Sequence, residues 1–111
     1  IDLPFCADES VHEVNDLEML PQAYGWINVK LDKAGGFTQA LKMVRAAKGR
    51  NLNVMIGCMV ASSLSIAPAH LLAQLCDLAD LDGPLWLDEK RPDKLVFDGP
   101  IVYPPSASLW G

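Results

Sequence analysis

Short apolar runs return along this chain at a nearly constant interval, and that interval restricts the fold more than any other property of the sequence. The runs begin near Phe5, Ile27, Val54 and Ala79, so successive starts lie 22, 27 and 25 residues apart. Helical patterns fill the gaps between them. Strands joined by helical crossovers of this length build parallel sheets, because parallel neighbours need a long return connection. The interval suits successive units of an eight-stranded β/α barrel, of which four units make half. It suits an open flavodoxin-like sheet equally well.

The expected strands cover residues 3–7, the run around Lys30 in WINVKLDKAGG (26–36), residues 54–59 and residues 78–81. A short helical segment perturbed by Pro21 is expected over 16–24. Phe37, Ala40, Leu41, Val44 and Ala47 fall on one helical face, and Gly49 stands where a residue just past a helix end is expected. Another helix is expected over 66–78, with Pro68 tolerated in its first turn. After Glu89 the pattern changes. Pro92, Pro100, Pro104 and Pro105 among apolar residues suggest extended segments over a neighbouring surface rather than a further β/α unit.

The 111 residues have the length of one small domain. Ile1 is not a methionine and the chain is in an apolar run by Phe5, so the natural start is expected upstream. A formal charge of −5 with no basic cluster argues against a nucleic-acid partner. Cys6, Cys58 and Cys76 are odd in number and have no CxxC spacing, which indicates neither a disulfide framework nor a zinc site and fits a reducing cytoplasm. Residues 52–76 carry no charge, yet Asn53, Gly57, Ser62, Pro68 and His70 break the stretch. It divides into a strand, a loop and a helix rather than a membrane span.

Parallel β/α folds place their sites at the carboxyl ends of strands, and several polar residues stand there. Lys30 puts an amine in a run that otherwise reads as a buried strand; it is either a functional base or a lysine snorkelling from a strand end. Asp8 follows the first strand as a hard oxygen ligand for Mg²⁺ or as a loop cap. Asp80 and Asp82, two apart on an extended chain, would face one side and hold an ammonium group, or would belong to a solvated loop. Cys58, in Gly57-Cys58-Met59, packs at the third strand end. His12 and His70 have no partner spacing; His70 is expected on a helix, facing solvent or the neighbouring helix.

Taken together, Pro4-Phe5-Cys6-Ala7-Asp8-Glu9-Ser10, Asn28-Val29-Lys30-Leu31-Asp32-Lys33-Ala34-Gly35-Gly36, Gly57-Cys58-Met59 and Asp80-Leu81-Asp82-Gly83-Pro84 resemble the dipeptide epimerase branch of the enolase superfamily. The resemblance covers nearly the whole chain. It implies the C-terminal half, about strands 5–8, of a (β/α)₈ TIM-like barrel in residues 1–89, and a tail in 90–111 that returns toward a capping domain. Asp8 then matches the third Mg²⁺ ligand, Lys30 the acid/base lysine, and Asp80 and Asp82 the pair that binds a substrate α-ammonium. Cys58 matches a position facing the substrate. The other metal carboxylates, an opposing lysine and the capping domain are expected before Ile1.

The implied reaction is epimerisation of Ala-Glu-like dipeptides through an enediolate. An α-proton next to a carboxylate is very weakly acidic, so a divalent cation at the carboxylate and a lysine of lowered pKa are what the chemistry needs; the enolase superfamily is itself a standard example of that arrangement. Acylamino acid racemases and muconate-type cycloisomerases share the metal and lysine positions, but their substrates lack the ammonium that two aspartates would bind. A non-catalytic half-barrel that pairs with another chain, or with itself as a homo-oligomer, is the alternative of a different kind. Its open edges and apolar face would favour association.

Overall fold

The computed structural model describes residues 3–111. Four parallel strands, β1 (Phe5–Ala7), β2 (Tyr24–Val29), β3 (Asn53–Ile56) and β4 (Leu78–Ala79), form one sheet in the order β1-β2-β3-β4. The order never reverses. An open flavodoxin-like sheet doubles back at a switch point and carries helices on both faces, whereas a barrel wall steps always the same way, with right-handed crossovers leaving every helix outside. The four strands are therefore a segment of barrel wall, and the expected half-barrel fold is borne out.

The outer layer is built by α3 (Phe37–Gly49) and α4 (Ser63–Ala73), with short turns α1 (Asp16–Met19) and α2 (Leu31–Ala34) at the strand connections. Ile27, Val29, Val54 and Ile56 alternate along β2 and β3, and all four are fully buried beneath these helices. Ala40, Met43, Val44 and Ala47 are the face α3 presents to them. The opposite sheet face is open, leaving Cys6 and Leu78 exposed. Core and open face are thus set by one parity.

The local differences from the sequence expectations have identifiable causes. Gly49 is the last helical residue of α3, and Asn51 takes the left-handed conformation at φ 59° instead. Asparagine tolerates that region because its short polar side chain can bond locally. Helix α4 starts three residues earlier than expected, capped by Ser62, whose hydroxyl accepts from Ser65 N–H at 3.3 Å. Pro68 consequently lies inside the helix rather than in its first turn. His70 lies on α4 as expected and is buried rather than facing solvent. The uncharged stretch 52–76 resolves into β3, a loop and α4, and no described helix is long and apolar enough to cross a membrane.

The tail adds no β/α unit but is more regular than an extended segment. β5 (Phe97–Asp98) and β6 (Ile101–Val102) form an antiparallel hairpin around Gly99 at φ 55°, and α5 (Ala107–Trp110) packs against α4 with Leu109 buried. Before the hairpin, Glu89 reaches back to the start of α4. Its carboxylate accepts from Ser63 N–H at 2.8 Å and from Ser63 Oγ at 2.5 Å. A carboxylate at a helix N-terminus satisfies an orphan donor and complements the helix dipole.

Candidate active site

Period two along each strand sends alternate side chains to the open face, where β1 supplies Cys6 and Asp8 and β2 supplies Asn28 and Lys30. With Met55 and Gly57 from β3 and Cys58 and Asp80 beyond the strand ends, they line a cavity of about 380 Å³. The parallel register pairs Cys6 with Trp26 and Asn28 with Met55, which brings Lys30 level with Gly57. Gly57, just past β3, therefore puts no side chain beside the lysine, and the Asn28 amide lies over it.

Lys30 ends β2 in extended conformation (φ −123°, ψ 129°), and its carbonyl accepts from Ala34 N–H at 2.9 Å as α2 begins. One helical turn later Gly35 (φ 84°) and Gly36 (φ 102°) take conformations that L side chains rarely adopt. The turn fixes the backbone of Lys30 from its C-terminal side, a purpose for the paired glycines that the sequence pattern alone does not reveal.

The Lys30 side chain is largely enclosed, 11% exposed, and its Nζ lies 3.0 Å from each oxygen of Asp8, with hydrogen-bond geometry toward Oδ2. Asp8 Oδ1 is buried without a hydrogen bond. Lys33 stands 3.7 Å from the same Oδ1 and pairs with Glu9, holding that carboxyl below its ordinary range mainly through the hydrogen bond. Asp8 Oδ1 is thus faced by two ammonium groups without a formal hydrogen bond, and a carboxylate oxygen at a cavity wall is the donor type that Mg²⁺ takes. Asp8 fits as one such ligand; no group of three metal-ligating side chains occurs among the described residues.

The strand end at β4 differs from the expected extended run through residue 82. Asp80 N–H donates to Ile56 O at 2.9 Å and Asp80 lines the cavity, but Asp82 turns into helical conformation (φ −80°, ψ −2°) and begins a 3₁₀ turn over Gly83–Trp86. Asp82 does not line the cavity with Asp80. Both carboxylates nevertheless act on Cys58: burial raises its thiol pKa first, and Asp80, Asp82 and Asp32 add to it against a lowering bond from Gly83 N–H. The thiol is thereby kept protonated, which suits packing and not nucleophilic attack. Gly83 is tightly held, since a Cβ there would meet Met59 O at 2.4 Å.

Sequence reasoning missed Asn28 as a member of the site. Its place two residues before Lys30 puts it on the same face, and that parity was the available signal.

This fold and this arrangement at the strand ends belong to a recognised class: residues 1–108 match the enolase C-terminal domain-like family, and the chain belongs to it. Among its relatives, the N-acetyl-D-glutamate racemase of Pseudoalteromonas is 44% identical over 98% of the chain and 35% of the relative. The L-Ala-D/L-Glu epimerase of Escherichia coli is 45% identical over 77% of the chain and 26% of that enzyme. In three dimensions the chain superimposes on an enolase family member from Agrobacterium tumefaciens, homologous to dipeptide epimerases and solved with sodium and L-Ala-L-Glu. That match has a TM-score of 0.90 at 52% identity, over 96% of this chain and 32% of the other. The chain thus spans about a third or less of its relatives' length.

Proposed function

We propose that this chain is the C-terminal part, about strands 5–8, of the barrel of a dipeptide epimerase acting on L-Ala-D/L-Glu-like substrates. The observation that carries the reading is the single cavity shared by Asp8, Lys30 and Asp80 at three parallel strand ends. Similarity to a protein solved with L-Ala-L-Glu supports the substrate class. The rest of the barrel, an opposing acid/base and a capping domain toward which residues 90–111 return belong to the part of the enzyme that precedes this segment.

Asp8 would hold a Mg²⁺ ion together with carboxylates from that other part. The ion supplies positive charge to the substrate carboxylate, which makes the neighbouring α-proton acidic enough to remove. Lys30, enclosed and within reach of the cavity, takes that proton from one face and returns it there. Asp80, with Asp82 two residues later, holds the free ammonium of the N-terminal residue, and Cys58 and Gly57 form the floor the peptide crosses. The reaction is tested by following L-Ala-L-Glu with the full-length protein and Mg²⁺ by NMR. Appearance of the L-Ala-D-Glu resonances is expected, and their absence with free dipeptides would refute the reading.

A second reading has its own observation. The relative covering the largest share of this chain among those compared above is an N-acetyl-D-glutamate racemase. N-acetylglutamate has the outline of Ala-Glu without the ammonium, so the same metal and lysine positions would serve it. The two readings differ in whether Asp80 and Asp82 have a cation to bind.

A further inference from the structure

Asn28 is buried, only 8% exposed, and its Oδ1 makes no hydrogen bond. Leaving an amide oxygen in that state carries a free-energy cost. An apolar side chain of similar size on β2 would avoid the cost. The neighbouring strand is also cut back around this amide: a Cβ on Gly57 would come within 2.4 Å of Oδ1 and 2.9 Å of Nδ2. Two strands thus accommodate a polar group that has no partner in this state, which indicates that a partner arrives in the working one.

The partner of an amide oxygen must be a donor. The ionisable groups that share its cavity are Asp8, Asp80, Lys30 and the thiols of Cys6 and Cys58. The carboxylates are acceptors and the thiols weak donors, so among the side chains of the cavity the strong donor is the amine of Lys30, on the same strand face two residues away. The amine already lies 3.0 Å from Asp8.

Resting on the epimerase reading, we propose that Asn28 is the positioning residue for Lys30. A neutral amine has two N–H bonds and one lone pair. When Asp8 and Asn28 Oδ1 each accept one N–H, the lone pair is left pointing in the remaining direction, into the cavity. The α-proton passes to that lone pair while the C–H electrons stay with the substrate carbon, and the same proton or a solvent one returns from nitrogen. Without Asn28 the amine rotates about its long stem and its lone pair loses a fixed aim.

Epimerisation uses one acid/base on each face, so a device that aims Lys30 alone acts on one epimer. The test is loss of the α-proton signal in D₂O for L-Ala-L-Glu and L-Ala-D-Glu separately, on the full-length protein, with Lys30→Ala identifying the epimer that Lys30 serves. For Asn28→Ala, exchange of that epimer is expected to fall about 10- to 100-fold, the scale of a misaimed catalytic group. Exchange of the other epimer should stay within about 2-fold, with Mg²⁺ affinity by calorimetry unchanged. Asn28→Ser, which keeps an oxygen acceptor, should recover part of the loss. Equal slowing of both epimers, or no slowing of either, overturns the role of Asn28. Should Asn28→Ala fail to fold, Asn28→Leu keeps the volume of the side chain and removes the acceptor, and the same one-sided loss is required of it. Wild-type protein that exchanges neither epimer overturns the epimerase reading, and this inference with it; an active wild type with symmetric variants overturns this inference alone.

Discussion

Neutralising Asp80 and Asp82 one at a time separates the two functional readings, and the structure says the two substitutions will not be equal. An ammonium about 4 Å from a carboxylate gains about 1 kcal/mol where solvent is freely present and about 4 kcal/mol near a protein surface of lower effective dielectric. Asp80 lines the cavity beside Lys30, so closure by the rest of the barrel moves it toward the higher figure; Asp82, at the start of the 3₁₀ turn, does not line the cavity and stays near the lower. In the full-length protein Asp80→Asn should therefore lower kcat/KM for L-Ala-L-Glu by about 1–4 kcal/mol, roughly 5- to 800-fold, and Asp82→Asn by about 5-fold. N-acetyl-L-glutamate carries no ammonium, so Asp80→Asn should leave its kcat/KM unchanged or raise it by relieving an unpaired carboxylate. The assay is kcat/KM for both substrates on the three proteins. Equal loss on the two substrates would refute the ammonium contact and favour the N-acylglutamate reading. A larger loss from Asp82 than from Asp80 would refute the geometric ranking.

The remaining predictions concern the metal, the fragment and the helix cap. The isolated 111-residue chain should show no turnover at any Mg²⁺ concentration, and adding the preceding part of the enzyme should restore some; turnover by the purified chain alone would contradict the division of the site. In the full-length protein, Lys30→Met should abolish epimerisation with Mg²⁺ affinity nearly intact, while Asp8→Asn should weaken Mg²⁺ binding measured by calorimetry, so that the two defects separate. Glu89→Ala removes the acceptor of two bonds from the buried Ser63 and should destabilise the fold by about 1–3 kcal/mol in denaturant unfolding; Glu89→Gln, which keeps an acceptor, should cost less.

The barrel wall was legible because its determinants are periodic. Residues such as Ile27, Val29, Val54 and Ile56 repeat at the spacing of strands buried beneath helices, and the interval between runs leaves room for one crossover each. The choice between a barrel and an open sheet was not legible from that interval, because strand order depends on the direction of each crossover and not on its length. Lys30 stood out as an amine in an apolar run. Asn28 did not, since an asparagine beside valine looks like an ordinary strand-end polar group until its burial and the missing side chain at Gly57 are seen together. The backbone at Asp82 was not legible either: the period-two argument assumes an extended chain, and the chain has already turned at Asp82 ahead of the 3₁₀ segment. Pro68 misplaced the start of α4 because proline favours a first turn, whereas the Ser62 cap decided the boundary.

The unreversed order of the four strands also fixes a direction and a length. On the proposed assignment the carboxylate of a bound peptide lies toward β1 and its ammonium toward β4, so the sheet reads the ligand from C-terminus to N-terminus. Three strand spacings of about 4.8 Å separate those outer strands, a span of about 14 Å. Two extended residues of about 3.5 Å each, a metal–oxygen contact of about 2 Å at one end and an ionic hydrogen bond of about 3 Å at the other come to about 12 Å, within that span. On that assignment the wall admits a dipeptide held at both ends, and which strand holds which carboxylate decides the direction in which the ligand lies.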